Sequence, residues 1–274
     1  MSEFDDWIGR SITASDTLDP ARCNALDIAL GGEGGLRAGD PMPLLDHWLH
    51  FWDVKPPAEL GKDGHPAKGG FLPPVPLPRR MWAGGRLNFT NPLLLGQRVQ
   101  KTSTILSINE KEGRSGKLVF VTIRHDFDAG DGVAVSEEQD LVYREDATTR
   151  LPAPEPTDAP EAAWCETVDP NPVLLFRYSA LTMNGHRIHY DRPYAVDEEY
   201  YPGLVVHGPL QAKLLVRLAT AKLQQPITRF SFRGQQPAID AIPLHVCGDT
   251  AENGAEVWTQ QGEGRAMVGS VRTD

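Results

Sequence analysis

A chain of 274 residues with 40% hydrophobic content is long enough for one large domain or two of ordinary size, with a real core. Its net charge of −10 disfavours a general nucleic-acid or anionic-membrane surface, because attraction to phosphate would work against repulsion from the rest of the molecule. Cys23, Cys165 and Cys247 are far apart and in no C-x-x-C spacing, which suggests neither a disulfide framework nor a zinc site and fits a reducing compartment.

The N-terminus, MSEFDDWIGR, lacks the basic start and apolar core of a signal peptide, and no run reaches the ~20 apolar residues that a membrane helix needs. The expectation is a soluble, cytoplasmic protein. Residues 1 to 14 read as a short turn and strand. Asp19-Pro20 then opens a helix that runs to about Leu30 and ends on glycines 31, 32, 34 and 35. A second helical segment is expected after Asp40-Pro41, with Leu44, Leu45, Trp48, Leu49 and Trp52 at helical spacing and packed in the core. From Lys55 to Pro78 the density of Pro and Gly forbids a regular helix or central strand. An ordered loop or lid is expected there, since Phe71, Leu72 and Val75 need cover.

Alternating segments follow at Arg86 to Phe89, Val99 to Ile108, Lys117 to Phe127 and Val133 to Tyr143. Turn residues at Asn91-Pro92, Lys111 to Ser115 and Asp128 to Gly132 make them a four-stranded antiparallel run. Residues 145 to 163 carry four prolines and almost nothing large and apolar, which reads as an interdomain linker between an N-terminal domain, 1 to 144, and a C-terminal one, 164 to 274. Beyond it the pattern returns: a short helix from Asp169-Pro170-Asn171-Pro172 to about Thr182, a polar loop, a long helix from His207 to Leu223, then strands. The strand after each main helix opens alike, Arg-Leu-Asn-Phe at 86 to 89 and Arg-Phe-Ser-Phe at 229 to 232, with a proline soon after. On the long helix only Lys213, Arg217, Thr220 and Gln224 form a polar stripe, so a sheet must wrap the rest. The expected fold class is α+β, a double hotdog in which each of two long helices is wrapped by a curved antiparallel sheet.

The loop YSALTMNGHRIHYDRPYAVDEEYYPGLVVHG, Tyr178 to Gly208, concentrates the chemistry. It resembles the signature loop of the MaoC-like, type 2 enoyl-thioester hydratases, in the branch of the type 2 hydroxyacyl-thioester dehydratases and the mesaconyl-C4-CoA and itaconyl-CoA hydratases. PLPRRMWAGG before Phe89, NGHRIHYD and HGPL all agree with that branch. The resemblance places His189 on the family's catalytic histidine and Asn184 on its catalytic aspartate, with His186 on the motif's Asn and Arg187 on its Pro. An amide orients water but takes up no proton near neutral pH, so His189 must carry more of the acid and base work, or Asp191 must contribute.

Adding water across a conjugated thioester needs a base for water, an acid for the α carbon and donors for the enolate oxygen. One imidazole titrating near neutrality can serve as both acid and base. A backbone N–H around Gly208, beside His207 at the start of a buried helix, suits the thioester oxygen. Arg187 and Arg86 are candidates for a substrate carboxylate, and His186, Tyr190 and Trp82 for further substrate contacts. Trp48, Trp52, Phe71 and Trp82 are candidate walls of the acyl pocket in the N-terminal repeat, which lacks a counterpart of NGHRIH. The implied activity is cofactor-free hydration of a short enoyl-CoA, first a C5 dicarboxylyl-CoA, by a homodimer whose partner is the acyl-CoA substrate, with no metal, nucleic acid or membrane. The alternatives are a 3-hydroxyacyl-ACP dehydratase of fatty acid synthesis, an acyl-thioesterase and, from another class, a non-catalytic acyl-thioester binding protein.

Overall fold

The structure, a computed structural model, describes residues 3 to 113 and 116 to 274. It divides into two compact units: residues up to Asn24 with Glu33–Asp146, and Ala25–Gly32 with Ala147–Asp274.

In the first unit, β1 (Ser11–Thr17) is followed by α1 (Pro20–Ala29), which is divided between the two units, and then by β2 (Arg79–Phe89), β3 (Arg98–Gly113), β4 (Gly116–Asp128) and β5 (Val133–Arg144). The strands pair antiparallel in the order β1-β3-β4-β5-β2. Period-two alternation does the sorting: Val119, Val121 and Ile123 share a core with Ile105 and Tyr143. The Pro/Gly-rich loop covers that core, burying Val75 and Leu77 and laying Phe71 and Leu72 against it. Each such apolar side chain contributes about 1.5–3 kcal/mol on full burial. β2 begins at Arg79 rather than Arg86, and β3 runs on to Gly113; of the turn expected at Lys111 to Ser115, residues Arg114 and Ser115 lie outside the described residues.

The helix expected after Pro41 does not form. A single 3-10 turn, Asp46–Leu49, stands between left-handed residues at Leu45 (φ 72°) and Phe51 (φ 60°). Long-range partners override the local spacing: His47 Nε2 and Trp48 Nε1 each donate to the buried Glu137 carboxylate at 2.9 Å, and Gln139 Nε2 adds a third donor at 2.7 Å. Trp52, expected in the core, is 39% exposed with the Arg22 guanidinium 4.0 Å above its ring. Ser103, His125 and Glu137 are direct cross-strand partners, so a polar row crosses the apolar face.

The second unit contains β6 (Trp164–Val168), α2 (Pro172–Thr182), α3 (Gly208–Leu223), β7 (Arg229–Gly234), β8 (Leu244–Ala251), β9 (Gly254–Gln261) and β10 (Gly264–Arg272). Its strand order is β7-β10-β9-β8-β6. Starting from the strand that follows each loop region, the two orders match position for position, as duplication of one unit requires. α3 packs against β7, β8, β9 and β10 and buries even Lys213, expected on its polar stripe. Among the described residues only the second unit has a long helix. The corresponding stretch of the first is the 3-10 turn and the Pro/Gly-rich loop, where proline removes donors and clashes with a helical turn.

Two further differences from the sequence reading concern the second unit. Cys165 and Cys247, distant in sequence, are cross-strand partners on β6 and β8 with Cα atoms 4.1 Å apart, and they form a disulfide. Spacing along the chain does not reveal this pair, because strand register creates it. The proline-rich segment 145 to 163 is tied to the second unit by Leu151 N–H donating to Tyr200 O and Ala163 N–H donating to Asp249. Among the described residues no helix is long and apolar enough to cross a membrane.

Candidate active site

The site grows out of the end of α2. Asn171 caps its start, accepting from Val173 N–H and Leu174 N–H, and Met183 ends it in the left-handed conformation (φ 51°), turning the chain into the loop. Asn184 Oδ1 then accepts from His186 N–H at 3.0 Å, a local turn that an Asx side chain favours. A 3-10 turn, Arg187–His189, follows and buries Ile188 and His189.

The second wall of the site is the extended segment Leu204–Val206. Val205 N–H donates to Ile188 O, Val206 N–H to Ala238 O, and Leu204 N–H to the buried Asp240 carboxylate. Asp240 also receives Arg192. Gly203 is required by this close approach: a Cβ there would stand 2.6 Å from Asp240 Oδ1 and 2.7 Å from Ile239 Cγ2. The segment presents Val205 O to His189 Nδ1 at 2.7 Å. A carbonyl oxygen only accepts, so Nδ1 carries the hydrogen and Nε2 of the neutral ring carries the lone pair.

His207 lies beneath His189. Their rings stack with centroids 3.7 Å apart at 18°, and His186 meets His189 edge-on at 5.5 Å. His207 is fully buried, its Nε2 is 2.8 Å from Ser179 Oγ, and its side chain does not cap α3. Burial pushes its imidazole well below the usual histidine range, and positive charge on His189 or His186 would push the same way. Pro209 follows Gly208 at the head of α3, so the first-turn amides include Gly208 N–H but lack one at 209.

Asp191 is paired with the residue four positions before it. Its carboxylate takes Arg187 Nη2 at 2.7 Å and Nε at 2.9 Å, and the Arg187 guanidinium, with Tyr194 N–H, holds it below the usual carboxylate range. Arg187 also stacks 4.2 Å over the Tyr194 ring. Tyr190 is exposed and closes the loop, its hydroxyl donating to Gly185 O at 2.8 Å.

Asn184, His186, Arg187, His189, Tyr190, His207 and Gly208 thus share one loop region of the second unit. Arg86 and Trp82 belong to the first. Arg86 is bound by Glu138 and Asp140 at 2.7–3.0 Å on an exposed sheet face. Trp82 packs edge-on against Trp48 at 5.0 Å. Sequence reasoning gave no role to Ser179, Val205, Gly203 or Asp240. Ser179 and Gly203 lie within the quoted loop, but their partners are 28 and 37 residues away, and no local pattern signals such a contact.

Residues 45–240 match the family of hydroxyacyl-thioester dehydratases type 2. The chain is 47% identical over 243 residues to the mesaconyl-C(4)-CoA hydratase of Chloroflexus aurantiacus, covering 88% of this chain and 86% of that protein. Among solved structures, HtdX of Mycobacterium tuberculosis superposes with a TM-score of 0.69 at 18% identity, over 97% of this chain and 100% of that one. A second M. tuberculosis protein, described as having a double hotdog fold, gives a TM-score of 0.56 at 14% identity, over 98% and 96%. The fold is a double hotdog of the α+β class.

Proposed function

The chain belongs to the hydroxyacyl-thioester dehydratase type 2 family, a family of hydro-lyases, and from that membership we propose that it hydrates a short dicarboxylyl-CoA, mesaconyl-C4-CoA first. The single observation that carries the substrate is the 47% identity over 88% of the chain.

In this reading His189 Nε2 takes a proton from water while the water oxygen bonds to the β carbon. The displaced electron pair moves to the thioester oxygen, where Gly208 N–H and the α3 dipole favour the negative charge. The imidazolium then returns its proton to the α carbon as the enolate collapses. Asn184, with Oδ1 committed to the loop, turns its NH2 toward water as a donor and leaves the proton work to His189. The chemistry is addition of water to a polarised double bond with its proton carried by His189, and CoA enters as part of the substrate.

In mesaconyl-C4-CoA the second carboxylate sits on the carbon that receives the hydroxyl. Its partner is therefore best placed in the same loop as the base. That favours Arg187, two residues before His189 and with a side chain 38% exposed, over Arg86, which already holds two carboxylates. The same reading carries a homodimer, which sedimentation measures. The test of the activity is a panel of enoyl-CoA thioesters followed by loss of enoyl absorbance. Preference for mesaconyl-C4-CoA or itaconyl-CoA over crotonyl-CoA is the expected result; preference for crotonyl or longer straight chains would replace it with a fatty-acid dehydratase.

A further inference from the structure

We propose that His207 is a positioning residue for the hydration: its ring is the platform on which the His189 ring lies, and with Val205 O it fixes where His189 Nε2 points. This rests on the hydratase reading. The geometry is a buried sandwich. His207 is 0% exposed, Ser179 6% and His189 7%, with the two imidazoles parallel at 3.7 Å and Tyr178 packed edge-on against His207 at 4.9 Å.

Proton placement follows from the partners. The titratable groups facing His207 are Tyr178 from α2 and His189, with His186 behind it, from the loop; among the described residues no carboxylate faces it. A cation there would lack a counter-ion, so the ring stays neutral with one N–H. On Nε2 that hydrogen reaches Ser179 Oγ at 2.8 Å. On Nδ1, which has no hydrogen-bond partner among the described residues, it would be a buried unmade donor, a loss of about 1–3 kcal/mol. Nε2–H therefore donates to Ser179, and His207 has no proton to lend. It contributes a flat neutral face.

That face matters in two states of His189. While His189 is neutral, ring stacking opposes rotation that would take Nδ1–H off Val205 O and exchange the tautomer. When His189 has taken the proton from water, the cation lies against a π face rather than a void. A small side chain at 207 would free the ring to turn, so that the lone pair no longer meets the water in one direction, and misplacement of that kind is expensive in rate.

The experiment uses the full chain with 15N-labelled histidine and the best enoyl-CoA of the wild type. His207→Ala should lower kcat by roughly tenfold or more, about 1.4 kcal/mol in the barrier, with KM changed less than about twofold. Its His189 ring nitrogens should move from a single Nδ1–H tautomer toward an averaged signal. His207→Phe, which keeps the flat face, should recover most of kcat and the single tautomer; a merely structural role would shift the melting temperature without moving the tautomer. A folded His207→Ala with wild-type kcat, or with His189 still a single Nδ1–H tautomer, overturns the proposal. Should His207→Ala not fold, His207→Leu fills much of the same volume without a flat ring, and the same tautomer signal must then broaden. The tautomer measurement needs no substrate. It decides this inference even if no enoyl thioester is hydrated, which would sink the hydratase reading alone.

Discussion

At the scale of single residues, His189 has its Nδ1–H held on Val205 O, which leaves the Nε2 lone pair for the proposed proton transfer from water. His189→Ala is expected to lower kcat by about 100-fold or more while circular dichroism stays unchanged, and more than about a tenth of wild-type kcat remaining would remove it from the mechanism. Asn184 makes a different prediction. Its Oδ1 holds His186 N–H; an aspartate offers the same acceptor and, in place of the amide donor, a second oxygen able to accept from water and share the base work, so Asn184→Asp should keep both fold and activity. Asn184→Ala should lose about 1 kcal/mol of stability and part of kcat; equal activity to wild type would end its water-orienting role. Arg187→Leu should reduce mesaconyl-C4-CoA turnover far more than crotonyl-CoA turnover. A uniform loss would instead mean that its pairing with Asp191 only shapes the loop.

At the scale of elements, His189 is held by a backbone segment, and that segment is held by Asp240. Gly203→Ala should push Asp240 from Leu204 N–H, shift Val205 O and lower stability by about 1–3 kcal/mol together with kcat. Unchanged melting temperature and rate would show that the neighbours yield at no cost. The Cys165–Cys247 bridge closes a span of 82 residues and fastens β6, which pairs only with β8 in its sheet. Reductant, or Cys165→Ser with Cys247→Ser, should lower unfolding free energy by about 2–4 kcal/mol, read as a lower denaturant midpoint. The start of α2 and the α3 span were legible because their signals are local: the Asp169-Pro170-Asn171-Pro172 opening, and an apolar surface on three sides of the helix. The Asp46–Leu49 turn was not, because its anchors lie on β5, 89 and 90 residues away.

At the scale of the whole molecule, buried and half-buried histidines give stability a pH dependence. Burial pushes the His125 imidazole down to about 4, and burial lowers His50 and His207 as well. In the unfolded chain these groups take protons below about 6.5. The stability they contribute is thus fully present above that value and is lost as pH falls toward the folded value. Burial raises Glu137, but the hydrogen bond and charge of His47, with His125 and Trp48, hold it below the usual range, so its contribution disappears at still lower pH, below about 4.5. Melting temperature should fall between pH 7.5 and 5, and His125→Gln should flatten that fall. An identical slope in the variant would remove His125 from the account.

The sequence by itself determined what depends on neighbours along the chain. Period-two alternation marked the strands, proline and glycine marked the covering loop, and the order of elements marked the duplication. The loop 178 to 208 carried the family and the candidate site. Tertiary structure alone decided which groups meet. Strand register brought Cys165 to Cys247, and antiparallel pairing set Glu137 where it captures His47 and Trp48. The return of Leu204–Val206 past Ile188 put a carbonyl on His189 and a second imidazole beneath it. Burial and partner geometry fix tautomers and ionisation, and both are properties of three-dimensional neighbours that residue order does not encode locally.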